Sequence, residues 1–368
     1  MSFTIKKPTM KLPIYWIYIL FLLPPFLLNR SDLSIICDLW HLAQLVIVCV
    51  MSLYYFVNYR ARNTIVNAVL CYYIVAIISS YLNGYSINTI KWDIASDLGI
   101  VLVIYLLFNK NKEKALYYLS KILWLYLLIN TLVMLIWPNG IASGRIGQIV
   151  WFLGGKNNIV PWILIGGGCI ILDSYERNKK MTFITYLKLA ICSVQAFLCD
   201  SSTAVVVIIL WGIYLINIIV NNQKLLNFFM GGKRLFLLVA IGFVFVVFFT
   251  TRSNVLQEFS EWFGKDITFN GRTGIWIVAL NYIKDNPWFG AGPVLVFDMG
   301  WSVYMTHAHC LYLNICAHNG IIGLSCLIYI LWNVLKNAKK IPLVAIFSLF
   351  LYLIGSIVEV YLLNSLLL

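Results

Sequence analysis

Apolar runs of about twenty residues recur along this chain with almost no charge inside them, and few folds accept that pattern. Backbone in lipid must satisfy its own hydrogen bonds, so a chain of such runs crosses a bilayer as helices. Eleven runs are read, at 13–29, 34–56, 65–83, 92–109, 116–137, 149–172, 182–199, 203–220, 235–250, 309–332 and 342–362. Only 11% of the 368 residues are charged, where a soluble domain carries about a quarter. The expectation is an all-α, polytopic transmembrane bundle. Gly355 and Glu359 interrupt the last run, so 342–368 crosses once or folds back as two segments, giving 11 or 12 spans.

The formal charge of +13 follows the topology of these runs. The segments 1–12, 58–64, 110–115, 173–181, 221–235 and 333–341 hold 17 of the 27 Lys and Arg residues. The short alternate loops 30–33, 84–96, 138–148 and 200–202 hold only Arg30, Lys91 and Arg145. This positive-inside bias puts the amino terminus in the cytoplasm and explains the basic balance without nucleic acid. Lys6, Lys7 and Lys11 precede the first run, but no small-residue cleavage site follows and Pro24-Pro25 lies within it. It reads as an uncleaved span. The nine cysteines show no CxxC spacing and read as free thiols.

Residues 251–308 are the one long polar interruption and fall on the outer side, with 138–148. The chain divides into amino-terminal spans 1–137, a core 138–335 that includes this loop, and a carboxyl-terminal segment 336–368. Residues 271–285 form an amphipathic helix in this reading: Arg272, Trp276, Ala279 and Ile283 share a face with Ile275, Val278 and Tyr282. Asn286-Pro287 ends it, and Gly290-Ala291-Gly292-Pro293 turns. The helix lies at the membrane interface and the loop covers a site. No repeat of fixed period is visible, which counts against an inverted-repeat transporter.

Four cations fall on the outer side: Arg145, Lys156, Arg252 and Arg272. Arginine forks match phosphate oxygens, and Arg272 opens a helix whose free N–H groups favour an anion. Lys156 lies inside an apolar run between Gly154-Gly155 and Asn157-Asn158, so it faces a cavity or partner, or snorkels outward. His309 opens the tenth run and suits a general base, or a plain bond to a backbone carbonyl. His318 is about 13.5 Å deeper and on the opposite face of a straight helix. Asp200 with Ser201, Ser202 and Thr203 reads as a turn and helix cap, or as a partner for an arginine. Glu359 balances a cation or lies near the outer surface. His307 and His309 lack carboxylate ligands at useful spacing, and Gly154-Gly155-Lys156 lacks the rest of a phosphate-binding loop. No metal or other cofactor is expected.

Several segments together resemble the O-antigen ligase-like superfamily, and within it the Wzy-type polymerases. They are Gly271-Arg272-Thr273-Gly274-Ile275-Trp276, Asn286-Pro287-Trp288-Phe289-Gly290-Ala291-Gly292, His309-Cys310-Leu311-Tyr312-Leu313 and Gly320-Ile321-Ile322-Gly323-Leu324. Upstream, Arg145, Phe152-Leu153-Gly154-Gly155-Lys156-Asn157 and Ser202-Thr203-Ala204 complete a resemblance over roughly 140–335. Cys310 stands where the family has Asn after its histidine, leaving His307 and His309 as candidates, with downstream spacing favouring His309. Ser202 stands where the family's Ser-Arg-Thr form has its arginine. The resemblance implies a GT-C-like, metal-independent, inverting glycosyltransferase of the bacterial cytoplasmic membrane, with its site on the outer face. Its substrates would be a donor and an acceptor oligosaccharide, each linked to undecaprenyl pyrophosphate, and a chain-length regulator is a compatible partner. Arg145 and Arg272 would hold the donor pyrophosphate, and His309 would deprotonate the acceptor hydroxyl. Lys156, Asn157, Arg252, Tyr312 and Trp276 would bind substrate. The Gly-Gly-Lys-Asn segment favours a polymerase over a ligase acting on a lipid A core, or over a transporter of lipid-linked glycan.

Overall fold

The computed structural model describes residues 15–29, 33–59, 63–143, 149–219, 231–252, 272–298, 304–337 and 341–361. These form an all-α bundle with two small antiparallel sheets. The helices are α1 (Tyr15–Leu22), α2 (Ser34–Tyr59), α3 (Thr64–Leu82), α4 (Lys91–Ile136), α5 (Ile159–Asn178) and α6 (Phe183–Leu198). There follow α7 (Ser202–Ile219), α8 (Gly232–Arg252), α9 (Arg272–Asp285), α10 (Leu311–Leu335) and α11 (Leu343–Gly355). Among the described residues, α2, α3, α4, α5 and α10 are long and apolar enough to cross a membrane. Local signals set their starts: the Asn63 side chain accepts from the N–H groups of Ile65 and Val66, and Thr182 and Thr185 form a capping box on α6.

The bundle packs outward from α4 and α5. Gly166 and Gly167 leave room for Leu127 of α4 and Trp211 of α7 to press against α5. A buried polar tie crosses the same region. Asn130 Nδ2 donates to Gln195 Oε1 at 2.7 Å, Gln195 Nε2 donates to the Leu127 carbonyl, and Leu153 N–H donates to Asn130 Oδ1. By contrast, α2 exposes Ile35, Leu39, Leu42, Val46, Val50, Leu53 and Val57, an apolar stripe suited to lipid.

The first and the sixth expected spans are corrected. The first is only an eight-residue helix, because Pro24-Pro25 stops it; a 3-10 turn at Phe26–Asn29 follows. The fourth and fifth follow one another within α4, as two helices parted by a kink at Asn111 (φ −160°, ψ 95°). Lys110, Lys112 and Lys114 surround that break, where a membrane exit would put charge. The sixth begins at Ile159 rather than 149. Ahead of it lies a three-stranded sheet of β1 (Ala142–Ser143), β2 (Ile149–Trp151) and β3 (Gly154–Gly155). Val150 pairs with Gly155 and Trp151 with Gly154, whose φ of +121° few other residues would adopt.

α9 packs against α10 and α8 with the face expected from the sequence. Ile275, Trp276 and Ala279 are buried, whereas Ile277 and Leu280 are exposed. Beyond it, residues 286–292 dock into a break in α10 at Gly320 (φ +68°, ψ −171°). Ala291 N–H donates to the Ala317 carbonyl at 2.8 Å, and Gly292 N–H donates to that of His318. In return Ile321 N–H donates to the Pro287 carbonyl, and Ile322 N–H to that of Trp288. The interrupted helix thus passes its freed backbone groups to the turn. A Cβ at Gly320 would overlap the Trp288 carbonyl, and one at Gly290 would overlap that of His318. The second small sheet pairs β4 (Phe297–Asp298) with β5 (Tyr304–Met305) and leads the chain back to α10.

Candidate functional site

Five chain segments meet at Glu359, just beyond α11. Glu359 is buried, 4% exposed. Arg272, the first residue of α9, pairs with Oε1 through Nη2. Asn157, in the turn before α5, donates Nδ2 to the same oxygen at 2.8 Å. His309, just before α10, puts Nδ1 3.5 Å from Oε2, ionic range rather than a formed hydrogen bond. Ser201, before α7, donates to Asn157 Oδ1 at 3.0 Å and accepts from Ala204 N–H. Desolvating a carboxylate is costly, and these donors offset that cost.

The histidine segment is held in a conformation the chain would not choose. His309 has φ +48°, a left-handed value that costs a non-glycine residue about 1–3 kcal/mol. Its neighbours enforce it. Trp276, fully buried, donates its indole N–H to the Ala308 carbonyl at 2.9 Å. Asn314 Oδ1 accepts from Ala308 N–H, and Leu311 N–H donates to the Ser356 carbonyl. Tyr312 anchors the start of α10 by donating to the Leu353 carbonyl of α11. His307 stands edge-on to His309, with ring centroids 4.2 Å apart. Burial, and then the neighbouring His309, lower the His307 pKa to about 4 while Glu359 pulls it up, so this imidazole is neutral at pH 7.

The residues singled out from sequence divide accordingly. Arg272, His309 and Asn157 come together; Trp276 and Tyr312 lie beneath them as supports. Lys156 adjoins Asn157 and is exposed in the turn before α5, not sunk in a span, because the small sheet takes up the preceding residues. Arg145 and the Arg252 side chain lie outside the described residues. Asp200 is an exposed turn residue at φ +49°, while Ser201 makes the cap. His318 gives Nδ1 to a 2.7 Å contact with the Gly292 carbonyl, away from the cluster. Sequence reasoning left Glu359 and Ser201 out of the site. An ionisable residue in an apolar run was the signal for Glu359; nothing distinguished Ser201 from an ordinary cap.

The fold and this cluster define a class: an all-α multi-pass membrane protein whose polar helix ends gather a buried carboxylate, a guanidinium and an imidazole. Residues 187–328 match the family model described as O-antigen ligase, and over that stretch the chain is similar to the O-antigen ligase-like superfamily. Members of that family are glycosyltransferase-like ligases and polymerases. A search of curated proteins gives no match. The matched stretch runs from α6 into α10 and carries Arg272 and His309, whereas Asn157 and Glu359 lie outside it.

Proposed function

We propose that the protein is a polymerase that joins oligosaccharide repeat units carried on undecaprenyl pyrophosphate, at the outer face of a bacterial cytoplasmic membrane. The convergence of Arg272 and His309 on Glu359 is the observation that carries this reading. In the reaction an acceptor sugar hydroxyl attacks the anomeric carbon of the donor, and the bond from that carbon to the pyrophosphate oxygen breaks. The hydroxyl proton passes to His309, with Glu359 stabilising the imidazolium. The electron pair leaves on the lipid pyrophosphate, whose charge Arg272 stabilises. A guanidinium has five N–H donors, and Nη2 is the group on Glu359, so others remain to meet phosphate oxygens. A single displacement inverts the anomeric centre.

Lys156, exposed beside Asn157, adds positive charge where the leaving group departs, and Arg145 and Arg252 would join it from the same side. Asn157 and Ser201 act through Glu359 as positioning residues. Trp276 and Tyr312 hold the histidine segment rather than contact sugar. The Gly154-Gly155-Lys156-Asn157 segment favours polymerase over ligase, and a chain-length regulator remains a compatible partner. Deletion in the source bacterium tests this. A polymerase mutant accumulates single lipid-linked repeat units; a ligase mutant accumulates long lipid-linked chains that never reach their acceptor, and that result would overturn the reading.

A further inference from the structure

A second polar feature lies beside the Glu359 cluster. A cavity of about 330 Å³ opens between α3, the start of α4 and the start of α10. That volume is at the lower end for small-molecule sites. Asp93 stands exposed on α4, and Asp97, one turn deeper, is buried and accepts from Tyr73 OH. Tyr72 and Tyr73 add aromatic rings, and Asn314 and Asn319 add amides. Among the described residues that line it there is no Lys or Arg. Tyr361 also lines the cavity, while its hydroxyl is turned onto Gly355 of α11. The cavity also borders the reactive cluster. Tyr361 follows Glu359 by two residues, and the lining residues Thr306 and Leu311 bracket the histidine segment.

These features suit a polyhydroxylated ligand. Carboxylates accept from sugar hydroxyls, amides both donate and accept, and tyrosine rings cover the apolar face of a pyranose. A pyrophosphate would be repelled by Asp93 and Asp97, so this space complements the Arg272 side of the site instead of duplicating it. We propose that the cavity binds the saccharide portion of a lipid-linked substrate, and that it takes neutral or amine-bearing sugars in preference to uronic acids. The proposal rests on the glycosyl-transfer reading above.

The test uses the full-length protein in nanodiscs, with lipid-linked repeat units extracted from a deletion strain and undecaprenyl pyrophosphate alone as a headgroup probe. Asp93→Asn and the cavity-filling Ala76→Phe should raise the KM for repeat units at least tenfold and leave undecaprenyl pyrophosphate binding unchanged. Arg272→Ala should weaken undecaprenyl pyrophosphate binding. Varying donor at fixed acceptor, and then the reverse, shows which substrate's sugars occupy the space. Repeat-unit KM values like the wild type's from both cavity variants, with Arg272→Ala inactive, would overturn the cavity proposal and leave the reaction standing. Full activity in Arg272→Ala would instead remove the reaction and the cavity proposal with it. A lipid-linked unit whose non-reducing and reducing ends both carry uronic acids would refute the stated preference.

Discussion

Arg272 and His309 both lean on Glu359, so the three should fail differently when changed. Arg272→Ala removes the donor that stabilises the leaving pyrophosphate, and loss of such a donor costs about 100-fold or more in turnover. Arg272→Lys keeps a charge but loses the planar fork, and should recover only part of that rate. His309→Ala removes the proton acceptor and should abolish chain growth. Each is checked by polymer formation from purified lipid-linked units, with membrane insertion measured in parallel; wild-type polymer lengths from Arg272→Ala and His309→Ala would refute the assignment. His318→Ala should keep more activity than His309→Ala, because His318 touches the Gly292 carbonyl and not the cluster. Glu359→Gln keeps the shape but leaves Arg272 without its counter-charge, and should lower kcat more than it raises KM. His307 gives the pH dependence. Its pKa falls from 6.5 to about 4 on folding, so between those values the unfolded chain binds the proton that the folded chain refuses. Stability contributed here is therefore lost as pH falls from 6.5 towards 4. A thermal-unfolding series should show that decline, and His307→Gln should flatten it.

At the scale of elements, the turn at 286–292 and the break in α10 form one unit. A membrane helix interrupted at Gly320 must pass its unpaired backbone groups to a neighbour, and the Pro287–Gly292 turn is that neighbour. Gly320→Ala and Gly290→Ala therefore each press a methyl group into a backbone carbonyl at a positive φ, and should cost more than about 3 kcal/mol, read as a lower Tm and reduced folded yield. Gly212→Ala in α7 is the control: an added Cβ meets nothing within 4 Å, and Tm should hold or rise slightly. Both glycine-bearing segments were visible in the sequence as family-like motifs, yet their mutual docking was not, since apolar periodicity says which face is buried and not what it meets. Helix positions were legible for the same reason: a run of twenty apolar residues has one solution in lipid. The hairpin before α5 was hidden because Ile149, Val150, Trp151 and Leu153 are as apolar as a span. Glu359 was legible as an anomaly, but its three partners come from segments 50 to 202 residues away in sequence.

For the whole molecule, charge bias and the site geometry bear on one question by separate routes. The bias in Lys and Arg assigns the starts of α5, α7 and α10 and the end of α11 to the outer side, together with the 251–308 loop that contains the start of α9. Those five points are the ones that meet at Glu359. An error of one crossing anywhere between α5 and α11 would put some of these residues on opposite sides of the bilayer, where they could not touch. The cavity lies between the middle of α3 and the start of α4, and the same charge bias assigns the start of α4 to the outer side. The expected topology follows: amino terminus inside, Lys179-Lys180 inside, and the 251–308 loop outside. Reporter fusions measure it directly. A fluorescent protein joined after Lys180 should fold and glow in the cytoplasm, and alkaline phosphatase joined after Lys265 should be active outside. The reverse pattern would place the cluster on the cytoplasmic face, where repeat units already flipped outward could not reach it, and the polymerase reading would fall with the topology.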